Sequence, residues 1–457
     1  MNHHSLVCRL GAGDTATVKP SRSDSKITEV SFVDGDHRLG YGLGQALDQL
    51  RELGIRPSER TLDLSLLAAV LTAADTRISR SSQSQNAWTR EIDLCLPVAE
   101  PKLWKSLAPL IVTTLNFLTG DRWGVRFRAR PKGLAALAPA PTKLRIATAD
   151  SVCLFSGGLD SFIGAIDLLA DDKAPILVSH YWDGITSTHQ TYCANVIAKR
   201  FPKQHFHHLR ARVGFPNGLI DGSTGENTLR GRSFLFFALA AMAADALDGD
   251  MLIHVPENGL ISLNVPLDPT RLGALSTRTT HPFYMARFDE ILAGLGLPIR
   301  LENTYRFQTK GMMTKACADG AFLKKEARHT MSCSSPAKAR WAKDEDARQP
   351  KHCGHCVPCL IRRAAMLEGL GADDTLYQIP DLSAKVLDST KAEGAHVRGF
   401  QIALSRLAKK PAHAKLDIHR PGPLTDHPDD LAAYEKVYVD GLEEVGRLLK
   451  GVRARPQ

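Results

Sequence analysis

The sequence predicts an α/β protein built on a doubly wound parallel sheet, and three observations carry that prediction. From about residue 145, strand-length apolar runs alternate with helical ones, the order that lays parallel strands side by side beneath crossover helices. A Gly-Gly turn joins the first of these strands to the first helix, Val152-Cys153-Leu154-Phe155 leading into Ser156-Gly157-Gly158-Leu159-Asp160-Ser161. Ligands of such sheets gather outside the carboxyl ends of the strands. Four of the nine cysteines, Cys333, Cys353, Cys356 and Cys359, fall near the end of the alternating region, which points to metal and not to a disulfide framework.

Residues 1–130 read as an N-terminal α+β domain. Helical apolar spacing runs over 61–78 through Leu62, Leu66, Ala69, Val70 and Ala73. Ile92, Leu94, Leu96 and Val98 alternate with Asp93 and Cys95 and predict an amphipathic strand. A helix follows over 103–118, with Pro109 as a kink or a late start. Trp123, Val125 and Phe127 then alternate with Arg126 and Arg128 in a further strand. Trp88, Arg90, Trp104, Asp121 and Trp123 offer a recognition surface; the plainer expectation is buried tryptophans and a solvated arginine face. The Ala- and Pro-rich stretch 131–145 reads as a linker.

Residues 146–375 form the alternating domain, with strands at 152–155, 176–178 and 251–255 and helices at 161–169, 189–200 and 232–247. Residues 376–457 read as a polar helical extension with a basic tail. A chain of 457 residues, 43% apolar and 23% charged, is that of an ordinary globular protein of two or three domains. The longest apolar run, 234–244, is too short to span a bilayer, and Met1-Asn2-His3-His4-Ser5 leads into no signal segment. The expected location is the cytoplasm, with no membrane partner. A net charge of +9 permits a nucleic-acid partner without requiring one.

The turn 156–161 has the chemistry of a phosphate cradle. Its glycines remove side chains from the path of an anion, the following helix presents free N–H groups, and Ser156 and Ser161 add hydroxyls. The P-loop lysine is absent, and Leu159-Asp160 stand in its place. A carboxylate beside phosphate is repulsive unless Mg²⁺ lies between them, so the expected ligand is a metal–nucleotide complex. The bland alternative is that Asp160 caps a helix and the glycines merely turn the chain.

Four thiolates suit a closed tetrahedral Zn²⁺ site that clamps the helix starting near Leu360. His329, His352 and His355 are substitute ligands or neighbours. Arg362 and Arg363 beyond the cluster read as phosphate contacts or as solvated helix charges.

Ser-Gly-Gly-x-Asp-Ser resembles the PP-loop of the N-type ATP pyrophosphatases, whose fold is adenine nucleotide alpha hydrolase-like. Together with Cys353-Gly354-His355-Cys356-Val357-Pro358-Cys359, it makes the stretch from about 150 to 370 similar to the QueC family of 7-cyano-7-deazaguanine synthases. Arg232 in Leu229-Arg230-Gly231-Arg232-Ser233 takes the place of that family's arginine. Glu302-Asn303-Thr304 followed by Thr309-Lys310 resembles its Glu-Thr-Pro strand and the lysine facing pyrophosphate. The resemblance implies ATP and Mg²⁺ as cofactors, a structural Zn²⁺, and adenylation of a carboxylate such as 7-carboxy-7-deazaguanine. Ser156, Gly157, Gly158, Leu159, Asp160 and Ser161 would hold the nucleotide, with Asp160 on the metal and Lys310 and Arg232 on the developing charge.

The chain departs from the family at Tyr181-Trp182-Asp183-Gly184, where Asp-Tyr-Gly-Gln-Arg-His is expected, so the acceptor side differs. The longer stretch 255–282 carries Glu257, Asn258, Asn264, Arg271 and Arg278. Glu257 and Asn258 either pair with a deazaguanine edge or turn the chain. Trp88-Thr89-Arg90-Glu91 and Leu118-Thr119-Gly120-Asp121-Arg122-Trp123 are similar to segments of the QueC-like proteins of Qat anti-phage defence systems. That likeness implies an amine on a protein partner from the same operon, docked by the extra domain. The alternatives are nitrile synthesis from ammonia for queuosine, a tRNA-sulfurating PP-loop enzyme with Cys353 and Cys356 as a redox pair, and a non-catalytic ATP-sensing scaffold.

Overall fold

The structure, a computed structural model, describes residues 2–33, 38–84, 87–141, 148–268, 278–334, 336 and 349–457. Arg271 and residues 142–147 of the expected linker lie outside the described residues. The first part of the chain comprises β1 (His3–Arg9), β2 (Lys26–Ser31), α1 (Leu43–Glu52), α2 (Glu59–Arg77), the single turn α3 (Arg80–Gln83), β3 (Glu91–Val98), α4 (Pro101–Thr119) and β4 (Arg122–Ala129). Then come β5 (Ser151–Leu154), α5 (Leu159–Ala170), β6 (Pro175–His180), α6 (Gly184–Arg200), β7 (His207–Ala211), α7 (Arg232–Asp245) and β8 (Met251–His254). They are followed by α8 (Gly259–Leu263), α9 (Pro282–Gly294), β9 (Ile299–Glu302), α10 (Lys310–Ala316) and α11 (Gly320–Glu326). The chain closes with α12 (Val357–Leu370), β10 (Leu387–Asp388), α13 (Ala392–Lys409), α14 (Ala414–Asp417), α15 (Leu431–Leu448) and β11 (Ala454–Arg455).

The larger sheet has the order β7-β6-β5-β8-β9 with every neighbouring pair parallel. Chain order reverses between β5 and β8, which is the doubly wound arrangement with its switch point at that pair. β5 and β6 are buried along their whole length, as expected of central parallel strands covered on both faces. That burial is why they read as unbroken apolar runs.

The N-terminal sheet, order β2-β1-β3-β4, is also wholly parallel. It is therefore an α/β layer, and the α+β expectation is corrected. The physical reason is connectivity: α2 lies between β2 and β3 and α4 between β3 and β4, and helical crossovers lay successive strands parallel. Alternation assigns Asp93 and Cys95 to an outward face, yet they are buried, because the chain between β1 and β2 folds over that face. Ser21 donates to Asp93 there, Arg9 donates to the Ala16 carbonyl at 2.6 Å, and Arg126 to that of Lys19. Pro109 lies inside α4, which starts at Pro101, so the helix does not start late.

Helices α2 and α4 of this sheet pack on α7 and α9 of the larger one, and one apolar core runs through both. The stretch 131–141 is docked on α2, with the Leu137 and Ala138 N–H groups donating to Glu59 and Arg130 to the Ala135 carbonyl. A second core joins α8, α12, α13 and α15. Among the described residues, no helix is long and apolar enough to cross a membrane.

Arg90 is not on a solvated face. It is fully buried and pairs with Asp75 and Asp121, each at 2.7 Å, while Arg80 makes two bonds of 2.6 Å to the same Asp121. Trp104 and Trp123 are buried as expected, and Trp88 is 42% exposed. Removing Arg90 would leave two acidic groups under-compensated in the interior. Arg90→Met is expected to cost about 3–5 kcal/mol, read as a lower urea midpoint. Arg90→Lys should recover only part, because one ammonium cannot span both carboxylates.

Candidate active site

The switch point brings together the loops that follow β5 and β8. The first begins with Gly157 in the left-handed region (φ +78°), where an added Cβ would also lie 3.1 Å from both the Cγ and the backbone N of Gln190. Only glycine fits that position. Gly158 is extended and caps α5, Ser156 Oγ accepts its N–H at 3.3 Å, and Ser156 and Ser161 hydroxyls lie 3.1 Å apart. Gln190 braces the loop from α6 by donating to the Ser156 and His180 carbonyls.

Asp160, in the first turn of α5, is buried and meets Lys310 Nζ at 2.7 Å. Asn258 donates to its other oxygen from the backbone at 3.1 Å and from the side chain at 2.7 Å. Burial opposes its ionisation, but Lys310 and these bonds outweigh that and hold Asp160 below the usual carboxylate range. Beside it, burial and the Asp160 charge push Glu257 well above that range. Two adjoining carboxyls are thus pushed apart, Asp160 towards its ionised form against a lysine and Glu257 towards its protonated form.

Asn258 uses both ends of its amide inside the protein. Its Nδ2 also reaches Glu257 at 3.1 Å, and its Oδ1 accepts the Ile261 N–H that starts α8. Asn264 ends α8 in the left-handed region, and Arg278 donates to the Phe117 carbonyl at 2.6 Å, so it anchors α4. Asn303, after β9, donates to the Glu257 carbonyl at 2.8 Å.

Arg232 is not in hydrogen-bond or ion-pair contact with the Asp160 group. It starts α7, which runs back along the strands from their carboxyl edge, and its guanidinium lies 3.6 Å over the ring of Trp182 just past β6. Burial lowers it to about 9, with Asp183 opposing the shift, so it remains a cation at neutral pH. Trp182 keeps 39% of its surface exposed. Trp182 of the segment 181–187 is thus the residue that carries Arg232.

Two braces were invisible in the sequence. Glu444 of α15, buried, accepts from Thr309 Oγ1 at 2.6 Å and from the Gly311 N–H at 3.1 Å, fixing the helix start that bears Lys310. Asp75 of α2 accepts the Gly231 N–H at 2.8 Å, one residue before Arg232. The C-terminal helices and the N-terminal sheet therefore each hold one candidate cation in place.

At the start of α12 the sulfur atoms of Cys333, Cys353, Cys356 and Cys359 all lie within 4.8 Å of one another. Cys353 and Cys359 sulfurs are 3.9 Å apart, close to the edge of about 3.8 Å that a tetrahedron with Zn–S bonds of about 2.3 Å requires. The Cys353 and Cys356 N–H groups each point at a neighbouring sulfur at 3.3 Å, as suits thiolates. A metal ion such as Zn²⁺ fits this donor set. The histidines are not among the four: His352 accepts the Ser332 N–H, His355 meets the Ala392 carbonyl and His329 packs on Tyr192. All nine cysteines are free of disulfides. Neither a protein-family model nor a curated protein matches the chain.

Arg362 and Arg363 correct the expectation of solvated charges, since both are buried. Arg363 donates to the Ile379 and Pro380 carbonyls. Arg362 turns inward, towards the segment that precedes Cys333.

Proposed function

We propose that the chain is a QueC-like PP-loop enzyme that cleaves ATP to AMP and pyrophosphate in order to adenylate a carboxylate. The observation that carries this reading is the meeting of the Ser156–Ser161 loop with the Asp160–Lys310 pair at the switch point. A glycine cradle alone would suit any phosphate, but a buried carboxylate in its first helical turn suits a phosphate chain that arrives with Mg²⁺. Asp160 would hold that metal, which withdraws charge from the phosphate oxygens. The loop amides and Ser161 would grip the leaving pyrophosphate, and Lys310 would neutralise it. Arg232, positioned on Trp182, would face the carboxylate or the α-phosphate.

A carboxylate oxygen attacks the α-phosphorus, and the bond to the β-phosphate oxygen breaks. An amine then attacks the acyl carbon, loses its proton to solvent, and AMP leaves with the carboxylate's former oxygen. The proposed substrate is a deazaguanine-type carboxylate such as 7-carboxy-7-deazaguanine, and the proposed amine belongs to a protein of the same operon, as in Qat-type defence. The altered segment 181–187 and the extra N-terminal sheet support that acceptor.

Incubation with ATP, Mg²⁺, 7-carboxy-7-deazaguanine and the neighbouring operon's protein is expected to yield AMP, pyrophosphate and a mass-shifted partner. Free nitrile with unshifted protein would restore the ammonia-using reaction. Absence of AMP with every acceptor would leave an ATP-sensing scaffold.

A further inference from the structure

The segment that enters the cysteine cluster also touches the phosphate loop. Met331 donates its N–H to the Gly157 carbonyl at 2.8 Å, and the Leu159 N–H donates to Ser332 Oγ at 3.3 Å. Ser332 is the residue before Cys333, and its own N–H is held by His352, the residue before Cys353. An added Cβ at Gly158 would lie 3.3 Å from Ser156 Oγ, 3.5 Å from the Met331 carbonyl and 3.7 Å from Ser332 Oγ. The loop's own Ser156 and the distant segment Met331–Ser332 therefore converge on one glycine.

The bonding of Ser332 is incomplete in one particular. Its oxygen receives two donors, the Leu159 N–H and Nη1 of Arg362 at 3.4 Å. A hydroxyl has two lone pairs and one proton, so the proton is left over, and among the described residues it has no acceptor. Arg362 is incomplete in charge. It is fully buried and donates to Thr330 Oγ1, Ala327 carbonyl and Thr375 Oγ1, with no carboxylate in ion-pair range among the described residues. A buried cation without a counter-ion is costly, and the hydroxyl of Ser332, partly open to solvent beside the loop amides, can exchange water for an anionic oxygen.

We infer that Ser332, backed by Arg362, is a further phosphate-binding residue, presented to the loop by the metal cluster. The ligand class is the phosphate chain of a nucleoside triphosphate, or the pyrophosphate that leaves it. Ser332 donates its proton to a terminal phosphate oxygen, and the Leu159 N–H, now capped by Ser332, turns to the same group. Because Ser332 adjoins Cys333 and is tied to His352, which adjoins Cys353, binding at the loop and at the cluster are coupled. Coupling of this kind is reciprocal: if metal tightens phosphate binding, phosphate tightens metal binding by the same factor. The inference rests on the reading of the 156–161 loop as a nucleotide site.

The test uses the full-length, metal-loaded protein and inorganic pyrophosphate with Mg²⁺ as the probe. Ser332→Ala, a partly exposed position outside the ligand set, is expected to weaken pyrophosphate binding by about tenfold or more, the value of a bond to a charged group. AMP affinity is expected to be unchanged. In the wild type, pyrophosphate should slow metal loss to a chelator, and in Ser332→Ala that protection should disappear. Equal pyrophosphate affinity in the two proteins overturns the inference while leaving the nucleotide site standing. A wild type that binds neither ATP nor pyrophosphate overturns both.

Discussion

Asp160→Asn is expected to lower ATP-dependent pyrophosphate release by about a thousandfold, while the protein stays folded. The activity loss follows from charge. An amide keeps the shape of the carboxylate and its bonds from Asn258, but it holds Mg²⁺ poorly and leaves the phosphates facing Lys310 alone. Removing one preorganised electrostatic group of this kind costs about a hundredfold to a thousandfold, and here the metal goes with it.

Stability is the less obvious half. Breaking a buried ion pair by removing one partner costs about 3–5 kcal/mol, because the other charge is stranded. Lys310 would be stranded by the substitution but for Glu257. That carboxyl is held protonated by burial and by the Asp160 charge, while Lys310 pulls the other way. With Asp160 neutral, that repulsion disappears and Glu257 ionises more readily in the field of Lys310. The single variant should therefore lose well under the full cost, and Asp160→Asn combined with Glu257→Gln should show all of it. Urea melts of the two proteins measure the difference. Pyrophosphate release persisting in the single variant would sink the catalytic reading.

The elements legible in the sequence were those whose environment is set locally. β5, β6 and β8 are legible as short apolar runs between helices, and Gly157 as part of a tight Gly-Gly turn, which the structure shows to be left-handed there. β7 was not legible, because its His207-His208-Leu209-Arg210-Ala211 lies at a sheet edge and alternates partly exposed polar residues with buried ones. Asp93 and Cys95 misled for the opposite reason, since a distant loop covers a face that alternation assigns to solvent. The candidate site divides the same way. Asp160 and Lys310 each sit in a recognisable string, and the sheet order brings them together. Gln190, Asp75, Glu444 and Ser332 are single polar residues on helices or in loops. Nothing local separates such a residue from a solvated one, because only the tertiary fold supplies its partner.

Loss of the metal cluster is the other large effect, and it should reach past the cysteines. Cys359 is fully buried in the first turn of α12, so as a metal-bound thiolate it would join that helix to the loops bearing Cys333 and Cys353. Structural Zn²⁺ sites contribute about 10–16 kcal/mol of apparent binding energy. Shared among four ligands, one thiolate is worth about 2.5–4 kcal/mol, or about seventyfold to eight-hundredfold in metal affinity. Cys359→Ser is expected to purify with less than one equivalent of metal and to melt at lower urea. Cys153→Ala, at a buried thiol that directs its sulfur towards the Leu154 carbonyl, should keep the metal. The effect propagates because α12 packs on α10, which begins with Lys310, and on α15, which carries Glu444. Loosening α12 therefore loosens the lysine as well as Ser332. Metal removal should weaken pyrophosphate binding more than Ser332→Ala does. Full metal content in Cys359→Ser would remove the tetrahedral site. Unchanged stability after chelation would leave the cluster as a set of thiols with no structural role.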